Sequence, residues 1–281
     1  MEKNVIQVYI TNHYEKVKNI DAIKDKYFGF GDLIRGTISL YLLSKKLNYN
    51  FYVDTHLHPI SKYLEPIFCP YITYIDENIN KIPYVGGNHN VSTHNSFTNF
   101  FNFVKSSQNI IAVFSNDVSA NNMIITNDCK EFCKLFLQPQ PFFLTQINSF
   151  IDNLPLKNYN VFQFRMGDDE VVYNKDINID YNKFFNKFIS KNLFNPKEDI
   201  IISDSKKLKD YAKSKGYNTT QFNPKHFGVH NDEKSTQELL LEIFMMSKAK
   251  KIKSYTVYSW TSGFTYWISK IYDIPYEKIV L

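Results

Sequence analysis

A chain of 281 residues with 43% hydrophobic and 22% charged residues has the balance of a folded globular protein, long enough for two domains of roughly 100 to 150 residues, which excludes a disordered chain. The net charge of +5 comes without a long basic run, so an anionic small ligand or weak peripheral attraction to a membrane fits it and nucleic-acid binding is not called for. The start MEKNVIQVYITNHYEK lacks an apolar signal-peptide core, no run reaches about 18 apolar residues, and Cys69, Cys129 and Cys133 form no CxxC pair; the expectation is a soluble, unsecreted, cytoplasmic chain with reduced thiols and no transmembrane segment. The abundance of Phe (24) and Tyr (20), beside recurrent Asn and Lys, reads as AT-rich coding bias.

In chain order, a strand is expected at Val5–Ile10, then a polar stretch, then a helix whose apolar side carries Leu33, Ile34, Ile38, Leu40, Leu42 and Leu47 with Asp32 at its start, then a strand ending at Asp54. Between Pro59 and Phe143 the pattern predicts short strands near Ile72–Ile75, Ile110–Phe114 and Met123–Ile125 and a helix near Glu131–Leu137. The prolines of LQPQPFF, Leu137–Phe143, resist helix and central strand and mark a boundary region. The second half alternates: strand Tyr159–Phe164, helix Tyr181–Ile189, strand Asp199–Ser203, helix Lys206–Lys215, strand Thr219–Phe222, helix Ser235–Lys248, strand Lys251–Tyr255 and helix Gly263–Ile271. Such alternation implies α/β domains with parallel sheets, an N-terminal one over 1–150 and a C-terminal one over 151–281, and ligands at the carboxyl ends of the strands.

Several residues stand where chemistry is expected. In GFGDLIRG, Gly29 and Gly31 with Phe30 between them form a turn into a helix, where backbone N–H groups favour phosphate or carboxylate oxygens. With Asp54 closing the next strand, the turn also invites a nicotinamide-dependent oxidoreductase reading, although Ile34 stands at the third glycine position of that fingerprint. In VFQFRMGDDE, Arg165 ends a strand and precedes Asp168, Asp169 and Glu170; its guanidinium can fork onto a phosphate or pair with one of these acids. Glu242 lies on an otherwise apolar helix and needs a partner, which the side-by-side N–H donors of guanine would supply. TSGF, Thr261, Ser262, Gly263 and Phe264, sets hydroxyls and a glycine at a helix start. Asp54, His56 and His58 alternate as metal ligands on one strand face would, and His226 and His230 lie in a loop of the second half.

Taken in order, these segments resemble the superfamily of α1,2-, α1,6- and protein O-fucosyltransferases. The resemblance runs through the Gly-rich turn and VD strand at Phe28–Asp54, a His-x-Arg-Arg-x-Asp-like element at Gln163–Asp168, a strand end at Ser203–Ser205, an acidic helix ending in MMSKAK, and a Ser-Ser-x-Phe-like helix start at Thr261–Phe264. It implies a GT-B-like α/β fold, two Rossmann-like domains facing each other across a cleft, and an inverting, metal-independent glycosyltransferase with no cofactor. Its partners would be the donor GDP-fucose and a glycan or glycoconjugate acceptor. By the same resemblance Arg165 would hold the β-phosphate and Glu242 would read guanine. Asp204 would orient the ribose or the arginine, and Thr261 and Ser262 would meet the pyrophosphate. Ser205, His226, Gly263 and Phe264 complete the expected donor set, and the Gly29–Gly31 turn would close over the donor. Asp168, Asp169 or Glu170 would face the acceptor as general base, with Asp32 and Asp54 as alternatives. The sequence departs from the pattern at Gln163, where the family has His, and at Met166, where it has a second Arg. That departure puts the sugar in doubt and keeps another GDP- or UDP-sugar, or a non-catalytic nucleotide- or glycan-binding protein, among the alternatives.

Overall fold

The structure is a computed structural model describing residues 3–10, 29–86, 93–106, 109–117, 124–171, 173, 175, 178–223, 225–228 and 232–281. The chain forms two compact units, Met1–Gln140 with Asn231–Thr236, and Pro141–His230 with Gln237–Leu281. The division falls inside the proline-bearing stretch Leu137–Phe143, upstream of the expected 150/151 limit.

In the first unit, β1 (Asn4–Val8), α1 (Phe30–Leu47), β2 (Asn50–Asp54), α2 (Ile72–Asn78), β3 (Tyr84–Gly86), α3 (Thr93–Ser106), β4 (Ile110–Asp117) and α4 (Asn127–Phe136) follow in order. The strands form a parallel sheet in the order β2-β1-β4-β3. Val5 and Val113 pack with Leu40, Leu43, Phe100 and Val104 of the helices. Inside this apolar sheet Gln7 is fully buried, and its amide nitrogen donates to Ser115 O at 3.0 Å and Leu33 O at 3.3 Å, tying α1 to β4, while its Oε1 is buried without a partner.

The second unit runs α5 (Pro141–Asp152), β5 (Asn160–Arg165), α6 (Asp168–Val171), α7 (Tyr181–Ser190), β6 (Asp199–Ser203), α8 (Lys206–Ser214), α9 (Glu233–Ser247, from Gln237 on), β7 (Ile252–Thr256), α10 (Gly263–Ile271) and β8 (Tyr276–Ile279). Its sheet is again parallel, in the order β6-β5-β7-β8. Phe162 and Phe164, on the same face of β5, pack on Phe185, Phe188 and Phe194. The Phe164 ring meets Phe188 edge to face at 5.0 Å, the arrangement that aromatic quadrupoles favour. The phenylalanines read as coding bias therefore fill this core.

Three expected elements are corrected. Ile72–Ile75 opens a helix, because Ile72, Ile75 and Ile79 recur at helical spacing and a short apolar run does not distinguish the two states. Thr219–Phe222 makes one isolated bridge, Thr219 to Ile201, instead of a strand. Pro141 begins α5, since a helix's first turn needs no N–H from proline. Ile124 and Ile125 are irregular; Met123, Phe28 and His230 lie outside the described residues. Among the described residues no helix is long and apolar enough to cross a membrane, and Cys69, Cys129 and Cys133 are buried free thiols.

Candidate functional site

The carboxyl end of the second sheet gathers the charged residues. β5 delivers Arg165 there, its side chain 17% exposed, and its guanidinium donates through Nη1 to Asp204 and through Nη2 to Asp168. Asp204 follows β6 and also accepts the backbone N–H groups of Met166 at 2.6 Å and Gly167 at 3.1 Å. Gly167 sits at φ +109, the left-handed region that glycine tolerates, and this turn aims both N–H groups at the carboxylate. Burial raises the Asp204 pKa, against the pull of Arg165 and the Met166 N–H. For Arg165 burial works against the charge, but Asp204 and Asp168 outweigh it and its pKa is raised. The result is a cation held in place, one edge fixed by a buried acid and the other by Asp168, whose side chain is 36% exposed.

The three acids after Arg165 have separated roles. Asp168 also accepts from the Tyr258 hydroxyl at 3.1 Å, and His226 Nε2 stands 4.0 Å away. Asp169 pairs at the surface with Lys175 at 2.9 Å. Glu170 covers the N-terminus of α8: it accepts from Ser205 Oγ and Lys206 N–H, each at 2.6 Å, and from Lys207 N–H at 3.2 Å, a placement the helix dipole favours. Ser205 is the N-cap of α8, accepting from Leu208 N–H at 3.1 Å. Both residues are thus engaged in a helix cap.

Gln163 is buried in β5, where its carbonyl oxygen accepts from Ser254 Oγ at 2.9 Å and Thr265 Oγ1 at 2.7 Å, joining β7 to α10. Met166 is buried in the aromatic core. At the start of α10, Ser262 is the N-cap in extended conformation without a side-chain capping bond, preceded by Thr261 and followed by Gly263 and Phe264. Glu242 belongs to a separate group: it accepts from Thr220 Oγ1 at 2.6 Å and lies 3.8 Å from Lys209 Nζ, which also donates to Thr220 Oγ1 at 2.8 Å. Burial raises the Glu242 pKa and lowers that of Lys209, and each charge offsets the other's penalty. Lys209, Thr220 and Tyr258 were not expected; a lysine on a helix face and a tyrosine in a loop carry no signal until the fold brings them beside Glu242 and Asp168.

In the first unit Gly29 is the N-cap of α1, and the Asp32 carboxylate accepts its N–H at 3.3 Å and an Arg35 N–H at 3.0 Å, so the helix starts before the expected residue. Phe30 is buried and Gly31 lies in the first turn. The Asp54, His56 and His58 row is broken: His58 is buried and accepts Ile60 N–H at 3.1 Å, and burial pushes its pKa down to about 3. Among the described residues no cluster of three or more His, Cys, Asp or Glu could hold a metal. His56 lies between Asp54 at 2.6 Å and Asp76 at 3.2 Å. The Asp54 hydrogen bond raises its pKa, burial opposes, and the charges of both acids add to the rise. A raised folded pKa gives stability that is full below the ordinary histidine value of 6.5 and lost as pH climbs through the folded value. The thermal-stability advantage of wild type over His56→Gln is therefore expected to shrink from about pH 6 to about pH 9, and an advantage that grows with pH would overturn the assignment.

Two parallel α/β units in one chain match the GT-B architecture of solved fucosyltransferase structures. Solved structures agree over nearly the full length. The α-1,6-fucosyltransferase NodZ soaked with GDP-fucose is 11% identical with TM-score 0.56, covering 96% of this chain and 93% of its own. A mutant of Arabidopsis thaliana FUT1 in complex with GDP is 12% identical with TM-score 0.57, covering 99% and 70%. NodZ from Bradyrhizobium is 11% identical with TM-score 0.54, covering 95% and 93%. No protein-family profile and no curated protein sequence matches the chain. The chain shares the fold of these fucosyltransferases.

Proposed function

We propose that the chain is an inverting glycosyltransferase that moves fucose from GDP-fucose to a hydroxyl of a glycan or glycoconjugate. The observation that carries the reading is Arg165, preset at the carboxyl end of a central strand in a fold shared with NodZ, which was crystallised with GDP. Asp204 holds one edge of the guanidinium, and the more exposed Asp168 yields the other to the β-phosphate. In the transfer the acceptor oxygen attacks the anomeric carbon, the bond to the β-phosphate oxygen breaks with its electron pair leaving on GDP, and a base takes the hydroxyl proton. Arg165 and the N–H groups opening α10 stabilise the charge on the leaving diphosphate. Glu170 is engaged at a helix N-terminus, which leaves Asp168, once the phosphate takes its place on the arginine, and Asp169, paired at the surface with Lys175, as the candidate bases beside Arg165. The first unit serves the acceptor side and the second the nucleotide.

A thermal-shift panel of GDP, UDP, GDP-fucose, GDP-mannose and NAD, run in chelator, tests the reading: a ligand at 100 times its Kd adds about 2.7 kcal/mol. GDP and GDP-fucose should stabilise most without metal. Stabilisation by NAD and not by GDP would make the chain an oxidoreductase. Donor binding without transfer to any acceptor would make it a binding protein, the second reading, which Gln163 and the buried Met166 favour.

Glu242 gives a test of base choice. Glu242→Gln exchanges an acceptor oxygen for a donor amide, so GDP should weaken by about 1.5–3 kcal/mol, the range for hydrogen bonds to charged groups, and UDP far less. The variant also strips Lys209 of its counter-charge and should melt lower, so the GDP-to-UDP affinity ratio is the readout. An unchanged ratio removes Glu242 from the base site.

A further inference from the structure

The loop after β7 exposes aromatic surface in a fixed arrangement. Trp260 is 61% exposed, and its ring lies flat on Tyr258 with centroids 4.4 Å apart and planes 7° apart. Tyr258 is anchored in turn: its hydroxyl donates to Asp168 Oδ2 and accepts the Asp168 N–H, both at 3.1 Å, and its own N–H donates to Thr256 Oγ1 at 3.1 Å. The Arg165 guanidinium lies 5.9 Å from the Tyr258 ring centroid. Lys278 Nζ donates to Ser259 O at 2.9 Å, tying the loop to β8. One face of the indole is thus covered by a tyrosine that cannot easily turn, and the other is offered to solvent. The packing of the unit does not require this; Trp267, the chain's second tryptophan, is the buried one.

The surroundings indicate what such a plate would hold. Val257 is exposed beside it, but Asp168 and Ser259 bound it, so the apolar surface is one aromatic plate and a small rim, where a protein interface needs about 800 Å² per partner. A ligand matching this has one apolar face and a periphery of hydrogen-bond donors. A pyranose ring has that form, with C–H groups on one face and hydroxyls around the edge that carboxylates can accept.

We infer that the Tyr258–Trp260 stack is a saccharide platform beside the Arg165–Asp168 cluster, and that the acceptor sugar lies on it. The word acceptor rests on the glycosyl-transfer reading; the platform does not. Because Tyr258 is held by Asp168, the plate is pre-organised and binding freezes little further motion.

The test is saturation-transfer NMR with chitotetraose, cellotetraose and maltotetraose on wild type, Trp260→Phe and Trp260→Leu, with GDP affinity and Tm measured on each. At least one saccharide should show transfer into its C–H protons with wild type and Trp260→Phe, and Trp260→Leu should bind it about ten-fold more weakly, the loss of one aromatic stacking contact. GDP affinity and Tm should not change. The platform is overturned if none of the three saccharides binds wild type, if Trp260→Leu binds them equally well, or if Trp260→Leu weakens GDP instead. Saccharide binding that depends on Trp260 in a protein that does not bind GDP would keep the platform and sink the nucleotide-sugar reading.

Discussion

Arg165→Ala is expected to lower turnover by about 10²–10³-fold, the usual effect of deleting a preorganised electrostatic contact to a leaving group, and to weaken GDP binding with it. Stability should fall as well, because the substitution leaves the buried Asp204 without its cation. Removing one partner of a buried pair costs about 3–5 kcal/mol. The cost here belongs at the lower end, since Asp204 keeps the Met166 and Gly167 N–H groups as partners. Arg165→Lys separates the two effects. An ammonium retains the charge beside Asp204 and much of the stability, but a point charge cannot span Asp204 and a second anion as the planar fork does. Turnover should therefore remain close to that of Arg165→Ala while the melting temperature recovers. If both variants bind GDP like wild type and only stability changes, Arg165 is a structural ion pair and the phosphate must be held elsewhere.

The legible parts of this fold are those where side-chain period and strand order agree. β5 and β6 read as largely apolar runs between clear turns, because strands of a parallel sheet are buried on both faces, whereas β7, IKSYT, alternates buried and half-buried residues. α7 and α8 read from their spacing, and the structure adds the Asp180 and Ser205 caps that start them. α5 was missed because Pro141 and the run of apolar residues after it look like a break, whereas proline at a first helical position is neutral. The short edge strands β3 and β8 were missed because a few residues pairing on one side carry little pattern. At the site, Arg165 and the acids that follow it were legible from spacing, but not that Asp168 would take the arginine and Asp169 would pair with Lys175. The dominant partner, Asp204, could be placed at a strand end, but its grip on two backbone N–H groups depends on the Gly167 turn. The Glu242–Lys209 pair depends on two helices meeting, and no local pattern encodes that.

Gly36→Ala should be the most destabilising small substitution in the first unit, although a Gly to Ala change inside a helix ordinarily stabilises by about 1 kcal/mol. A Cβ at Gly36 would collide with the Ser115 carbonyl oxygen, come within 2.7 Å of its carbon, and stand 3.0 Å from Gln7 Nε2. The first two atoms are backbone of β4, so the strand cannot give way without pulling on its ladder with β1. Gln7 can move, but only by giving up its bonds to Ser115 O and Leu33 O in a buried setting, at about 1 kcal/mol for each. Overpacking against main chain costs about 1–3 kcal/mol. With the lost hydrogen bonds this outweighs the gain in helix propensity, leaving a net loss of about 2–4 kcal/mol and about 5–15 °C in Tm. Thermal unfolding combined with amide exchange on β1 and β4 checks it, since the loss should appear as weaker protection in those strands. A variant as stable as wild type would mean that α1 does not sit this close to β4. The last glycine of GFGDLIRG then has a packing reason: it lets a helix lie against the sheet, the role that the third glycine of a dinucleotide fingerprint fills two positions earlier, where this chain has the buried Ile34.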